Sequence, residues 1–385
     1  WGNDYFDDHY FVNGVPTPFK GYCTDVFFDE AIDYIEENKN NPFFCVLASN
    51  APHGPFNVES KYSDLYKDKV SRSERACFYG MITNIDENFA RLDAKLKELG
   101  IADNTILIFM TDNGTSMKDQ DIHTAGLRGV KNSAYDGGHR VPFFIRWPNG
   151  NLLSPRDIDT LTANVDFMPT LLDLCGIEPN ACDGVSLKSL LTEEAPQWPA
   201  RTIVTDSQRL PNPVKWRKCA VMTDRWRLIN GKELYDINED RGQVNDIAAQ
   251  HPDVIAQLRA EYDKWWGAVS VQMETSIPIS IGGEENPAQL NAHDWRHPDD
   301  PWYDDPDVAE SNGYLVFDQS QVRKGLGENG YFEIMVEQPG SYRFELRRWP
   351  KEEDRAITEG IAASTDGFRA DVILERYHDK YSGGK

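Results

Sequence analysis

No stretch of this sequence is apolar for long enough to cross a bilayer. Ile106 to Met110 is among its longest uninterrupted apolar runs, and a spanning helix needs about twenty such residues. No two of its six cysteines (Cys23, Cys45, Cys77, Cys175, Cys182, Cys219) stand in Cys-x-x-Cys spacing, which removes the usual zinc and thioredoxin-like patterns. Cys45 lies in an apolar run and reads as a buried thiol. Cys175 and Cys182 flank a short loop, and spacing alone leaves their pairing open. There is no internal repeat and no low-complexity tract. Positive charge is also scarce: 40 Lys and Arg stand against 63 Asp and Glu, for a net charge of −23. Such a field repels nucleic acid and anionic membranes. An anionic ligand must therefore be drawn in by a local cationic pocket. An initiator methionine is missing as well; the chain opens on Trp1, so a start further upstream is expected and the lack of a signal peptide says nothing about export.

What is present is alternation of helix and strand patterns. After Thr24 or Asp25, either of which could cap a helix, Phe28, Ala31, Ile32 and Ile35 follow helical spacing. NPFFCVLAS (41–49) reads as a strand buried on both faces. Met81, Ile85, Phe89, Leu92, Leu96 and Leu99 trace the stripe of a long helix, and 105–111 and 141–147 read as two more buried strands. A helix near 166–175 presents Met168, Leu171, Leu172 and Cys175 on one face and stops at Gly176. This alternation predicts an α/β domain with a largely parallel sheet over about 1–200. Short antiparallel strands around Asn230-Gly231 and an amphipathic helix from Pro252, burying Ile255, Leu258, Tyr262 and Trp265, predict a small subdomain over 201–270. Residues 271–385 read as a β-rich accessory region, with a hairpin in 331–349 turning at Pro339-Gly340.

Functional loops of α/β sheets lie beyond the carboxyl ends of strands. Two loops hold that position here. SNAPHGPF carries His53, whose imidazole can bind an anion or protonate a leaving oxygen. TDNG carries Asp112 and Asn113, whose oxygens suit a hard cation such as calcium or magnesium but are too few to hold one alone. Within the following glycine-rich stretch come Lys131, Arg128, His139 and Arg140. Singly, a DNG is ordinary turn chemistry and a lysine is ordinary surface charge. Jointly, an oxygen-ligand pair, a histidine and a lysine at one sheet edge are what binding and polarising a tetrahedral oxyanion requires. The loop 115–127 borders that place, with His123 a further substrate-binding candidate.

These residues resemble the type I sulfatases of the alkaline phosphatase superfamily, particularly bacterial arylsulfatase-like members. The resemblance rests on GYCTDVFFDEAIDYIEENKNNPFFCVLASNAPHGPF (21–56), on TDNG (111–114) with GLRGVKNSAYDGGHRVPFFIRWP (126–148), and on KELYDINEDRGQVNDIA (232–248). It covers about residues 1–270. Asp136 stands where the family usually has Glu, and His139 where an apolar residue is common. The resemblance implies an alkaline-phosphatase-like sheet flanked by helices, incomplete at its N-terminal side, followed by the small antiparallel subdomain. It implies that Asp112 and Asn113 are calcium ligands, that Lys131 contacts the sulfate, and that His53 contacts it and protonates the leaving alcohol. A periplasmic or secreted location and a sulfated small molecule or glycan as partner follow from the same likeness; oligomeric state does not.

One family feature is absent. Sulfatases use a formylglycine made within Cys/Ser-x-Pro-x-Arg. None of the six cysteines has Pro two residues on and Arg four on, and Ser154 begins Ser-Pro-Arg with the wrong spacing. The paired aspartates and the Gly-Lys-x-His segment are missing too. In the family all three precede the point matching Trp1, so the expectation is a sulfatase lacking its N-terminal part and inactive by itself. The alternatives are a phosphate or phosphonate ester hydrolase of the same superfamily, and a non-catalytic relative that binds sulfated glycans.

Overall fold

The computed structural model describes residues 5–117, 122–178, 181–207, 213–273, 277–295, 330–349 and 354–360, with Thr275, Val322 and Lys351. A short antiparallel hairpin, β1 (His9–Val12) with β2 (Val15–Pro18), leads into α1 (Cys23–Asn38). α2 (Ser60–Ser63) and the long α3 (Ser73–Glu98) follow. Phe28 and Ile35 of α1 meet Leu92 and Leu96 of α3 in one buried cluster, as their spacing on single helical faces requires. The pair is also keyed by polar bonds: the buried Asn84 and Asn88 amides donate to Asp25 at 2.7 and 2.6 Å. Asp25 and Thr24 therefore lie in the first turn of α1, whose N-cap is Tyr22, and neither caps it.

Segment 41–49 departs from the buried-strand expectation. It is extended and alternates in exposure, with Phe43 and Leu47 packed against the α1–α3 cluster. Phe44 and Val46 point outward, 74% and 71% exposed, and Cys45 is half-buried. A strand is made by its neighbours, and among the described residues none bonds to this one. β3 (Leu107–Met110) and β4 (Phe143–Arg146) do form, but antiparallel, with Met110 opposite Phe143 and Leu107 opposite Arg146. The α/β class stands, while the expected parallel pairing of these two strands does not. Their outer face is open, with Phe144 64% exposed. The antiparallel register has one consequence for the site: the chain leaves β3 and re-enters β4 at the same sheet end, so the two ends of segment 111–142 lie side by side. The turn α4 (Asp136–His139) falls near the returning end.

α5 (Phe167–Leu174) ends at Gly176, which adopts φ +71°. It buries Pro169 and Thr170, whereas Met168 and Cys175 face solvent, because the buried Asp166 and its partners occupy the inner side. Cys175 and Cys182 are both free and exposed. After α6 (Lys188–Thr192) comes a four-stranded antiparallel sheet, β5 (Ile203–Asp206), β6 (Cys219–Met222), β7 (Trp226–Ile229) and β8 (Glu233–Asp236), in that spatial order. Asn230 and Gly231 both take positive φ, 50° and 67°, the geometry that a tight β7–β8 hairpin demands.

This sheet is covered on both faces, which is why CAVM is wholly buried. Cys219, Val221, Leu228 and Leu234 face α7 (Pro252–Val269) and its Leu258 and Tyr262. The alternate residues Ala220, Met222, Ile229 and Tyr235 pack on Ala134 and Tyr135. Farther on, β9 (Ile279–Ile281) pairs in parallel with β10 (Ile334–Val336). The expected 331–349 hairpin is therefore replaced: its first arm pairs with β9, and 341–347 has no strand partner among the described residues. Most of the expected accessory region lies outside the described residues. Among those described, no helix is long and apolar enough to cross a membrane.

Asp166 shows what holds the connection after β4. Fully buried, it receives Arg201 through two bonds of 2.8 and 2.5 Å, and the amides of Val185 and Ala163 at 2.9 and 2.8 Å. Burial alone would raise its pKa, but these donors together hold it below the usual carboxylate value. A depressed folded pKa means that this stabilisation is complete above the unfolded value and is lost as pH falls through about 4 and below. Arg201→Met is expected to lower the unfolding free energy by about 3–5 kcal/mol, as removing one partner of a buried pair does. Urea denaturation at pH 7 measures this; a loss below about 1 kcal/mol would place the pair among weak surface bridges.

Candidate functional site

The histidine loop is fixed from both sides. The His53 amide donates to the Asn50 carbonyl at 2.9 Å, and the buried Tyr5 hydroxyl donates to the His53 carbonyl at 2.7 Å. In the ring, Nδ1 lies 2.7 Å from the Gly54 carbonyl. A carbonyl only accepts, so Nδ1 carries the proton and Nε2 is left for another partner.

The second wall is the segment between β3 and β4. Asp112 and Asn113 leave β3, and the Asn113 side-chain amide donates to the Asp112 carboxylate at 2.5 Å. The Gly114 amide then donates to the Gly138 carbonyl at 3.0 Å, and the Lys131 amide to the Thr115 carbonyl at 2.9 Å. Both bonds join the start of the segment to its return. Glycine is required for this closeness: a Cβ on Gly114 would sit 1.9 Å from the Gly137 oxygen, and one on Gly137 would sit 2.3 Å from the Gly129 oxygen.

The C-terminal sheet clamps the same segment from behind. Asp136, 1% exposed, receives Arg227 Nε of β7 at 3.0 Å. Its other oxygen makes no hydrogen bond among the described residues and lies 3.8 Å from Arg140. The fully buried Gln243 accepts the Asp136 amide through its side-chain oxygen at 2.8 Å. Arg128 is consumed here too, stacked 3.8 Å from the Tyr135 ring centre and donating to the Gln243 carbonyl at 2.9 Å and the Tyr235 hydroxyl at 3.1 Å. His139 is turned inward, with Nε2 3.1 Å from the Ala134 carbonyl; burial, opposed by the nearby Asp136, holds its pKa below the ordinary histidine value. Arg128 and His139 are thus structural members of the clamp.

The other candidates open on one space. His53, Asp112, Asn113, His123 and Lys131 all line a cavity of about 1840 Å³. Arg140 and Arg241 line it as well, and no hydrogen bond or ion pair holds the side chain of Lys131 or Arg241 among the described residues. Four Lys and Arg against two Asp line this cavity in a chain of charge −23. The wall therefore reverses the sign of the whole molecule, which is what attracts an anion. Arg241, Arg227 and Gln243 escaped the sequence reading, because nothing in DRGQ or WRL announces contact with residues about a hundred positions away.

For a metal, the donors have the right chemistry and the wrong number. Asp112 and Asn113 offer hard oxygens, but calcium takes six to eight, and no group of three acidic, His or Cys side chains that could hold an ion occurs among the described residues. These residues are at most part of a cation site.

A mixed α/β chain with cationic loops at one sheet edge has the chemistry to receive an oxyanion, and comparison with known proteins shows which family it resembles. Residues 2–177 match the sulfatase family model and 130–265 match the model described as N-sulphoglucosamine sulphohydrolase, C-terminal. Over residues 2–265 the chain is thus similar to the sulfatase family. It is 31% identical over 208 residues to an arylsulfatase of Clostridium perfringens, covering 44% of this chain and 42% of that protein. It is 27% identical over 266 residues to an N-acetylgalactosamine-6-O-sulfatase of Bacteroides thetaiotaomicron, covering 61% and 49%. The fold is shared with Ps i-CgsB bound to k-i-k-neocarrahexaose, at TM-score 0.58 and 24% identity, over 66% of this chain and 56% of that one. The putative sulfatase yidJ of Bacteroides fragilis shares it at TM-score 0.56 and 20% identity, over 69% and 63%. The chain spans less than half the length of these two curated relatives.

Two outcomes check the clamp. Arg227→Met leaves Asp136 buried with only the more distant Arg140, 3.8 Å away, with an expected loss of about 3 kcal/mol and faster proteolytic cleavage within 128–140; an unchanged cleavage rate would mean the clamp does not hold the segment. His139 favours its neutral form in the folded chain. Its contribution is therefore present above the unfolded value of about 6.5 and lost as pH falls below it. His139→Gln should flatten the fall in urea midpoint between about pH 6.5 and 5, and an equally steep fall in the variant would assign that loss to other groups.

Proposed function

We propose that the protein is a sulfuric ester hydrolase that releases inorganic sulfate from a sulfated organic substrate, a carbohydrate or an aryl sulfate. The observation that carries this reading is the meeting on one cavity of His53, the Asp112–Asn113 pair and Lys131, whose side chain has no partner among the described residues. In this reading Lys131 binds a sulfate oxygen and offsets charge that grows there in the transition state. His53, its Nδ1–H held by the Gly54 carbonyl, serves as the acid in its imidazolium form, which gives the Nε2 proton to the leaving oxygen and returns to the neutral ring as the alcohol departs. Asp112 and Asn113 contribute two oxygens to a calcium or magnesium site completed by groups outside the described residues. A cation bound there would draw charge from the sulfate oxygens.

The nucleophile in this proposal is a formylglycine carried outside these 385 residues, since no cysteine or serine here has the sequence context that makes one. The relatives named arylsulfatase and N-acetylgalactosamine-6-O-sulfatase support sulfate over phosphate as the group transferred. A periplasmic or extracellular setting, where sulfated glycans are met, is part of the same proposal.

With 4-nitrophenyl sulfate, the 385-residue chain alone is expected to show no turnover above background; turnover would disprove an external nucleophile. In the full-length protein, sulfate ester should be cleaved in preference to phosphate ester. Lys131→Ala should lower kcat by roughly 10²–10³, as loss of one charge-stabilising donor does. Preference for the phosphate ester would favour the phosphohydrolase alternative.

A further inference from the structure

We propose that Arg241, with His123, forms a second anion subsite beside the Lys131 site, so that the substrate class is a sugar bearing two oxyanions, the scissile sulfate and a second sulfate or carboxylate. This inference rests on the hydrolase reading above and adds to it the charge pattern of the substrate.

Arg241 belongs to the loop after β8, not to the β3–β4 segment that supplies Lys131. Its place is nevertheless fixed relative to that segment. Two residues on, Gln243 adopts φ +51° and is fully buried. It accepts Arg128 on its carbonyl at 2.9 Å and the Asp136 amide on its side chain at 2.8 Å. Gly242 lies against the Gly126 carbonyl, a Cβ there reaching 3.4 Å from it. The backbone of 241–243 is therefore seated on 126–136 and carries Arg241 to the cavity wall.

The acid nearest in sequence does not neutralise it. The Asp240 carboxylate is turned to the amides of Val244 and Asn245, both at 2.7 Å. Arg241 is left with no hydrogen bond or ion pair among the described residues, in a chain with 63 acidic side chains. His123 lines the same cavity; its backbone amide is bonded by the Tyr79 hydroxyl at 3.3 Å and its ring has no partner among the described residues. A guanidinium is a fork that matches the two oxygens of a sulfate or carboxylate, where an ammonium is a point charge. Lys131 and Arg241 arise from separate elements of the one cavity wall, so each can take its own anion.

The test is calorimetric titration of the 385-residue chain with a disulfated disaccharide and its monosulfated counterpart. The disulfated sugar is expected to bind roughly tenfold more tightly, the gain of one charge-assisted bidentate contact. Arg241→Ala should reduce that preference to about twofold or less and leave the monosulfated affinity nearly unchanged, while Arg241→Lys keeps part of it, since the charge remains without the fork. Lys131→Ala should weaken both sugars in parallel. A preference that survives Arg241→Ala, or an equal loss for both sugars in that variant, overturns the second subsite and leaves the Lys131 reading standing. If neither sugar binds, or Lys131→Ala alters neither, the second subsite falls, while the hydrolase reading is decided separately by turnover in the full-length protein. Arg241 is exposed, so an unchanged thermal midpoint in Arg241→Ala shows that the change is local.

Discussion

The two-sided burial of the C-terminal sheet is the constraint on which the site depends. In a strand, successive side chains face opposite ways, so each of β6, β7 and β8 must serve two partners at once. One set, with Val221, Leu228 and Leu234, closes on α7. The other, with Ala220, Ile229, Tyr235 and Arg227, closes on the segment that carries Lys131. A register shift of one residue would exchange the two sets. It would place Arg227 against the apolar face of α7 and strand Asp136 without its cation. The loop that presents the cationic wall is thus a rigid part of the core at its back while open at its front.

The second constraint is the β3–β4 register. Pairing Met110 with Phe143 brings residues 112–114 and 137–138 together, and the glycines there permit backbone approach that a side chain would block. Together these features allow an acidic protein to hold a cationic concavity. One of the segment's acids, Asp136, is spent on Arg227 behind the wall, and Lys131 in front has no ion-pair partner among the described residues. The scheme is economical in residues and sensitive to any change behind the loop.

Much of this was legible in the sequence where periodicity is local. The stripes of α1, α3 and α7 follow from spacing, and Asn230-Gly231 announces its hairpin because few other residues tolerate two successive positive φ values. His53, Asp112 and Asn113 are legible from their position after apolar runs, Lys131 from its glycine-rich stretch and His123 from the adjoining loop, and all five line one cavity. Where an element depends on a distant partner, local pattern was not enough. Segment 41–49 looked like a doubly buried strand, yet Phe44 and Val46 are exposed; its composition records a capacity for pairing, and composition cannot supply the neighbour. For the same reason the 331–349 hairpin was misread, since β10 is claimed by β9. Arg128 and His139 looked as free as Lys131, and only tertiary contacts separate them.

If these loops form one oxyanion site facing the cavity, a single anion must be felt by all of them. In a nuclear magnetic resonance titration of the isotope-labelled chain with inorganic sulfate, the amides of His53, Asn113, Gly114, Lys131 and Gly138 should shift together along one binding curve, with the His53 ring signals moving in parallel. Shifts confined to scattered surface lysines, or a separate curve for each loop, would contradict a single site.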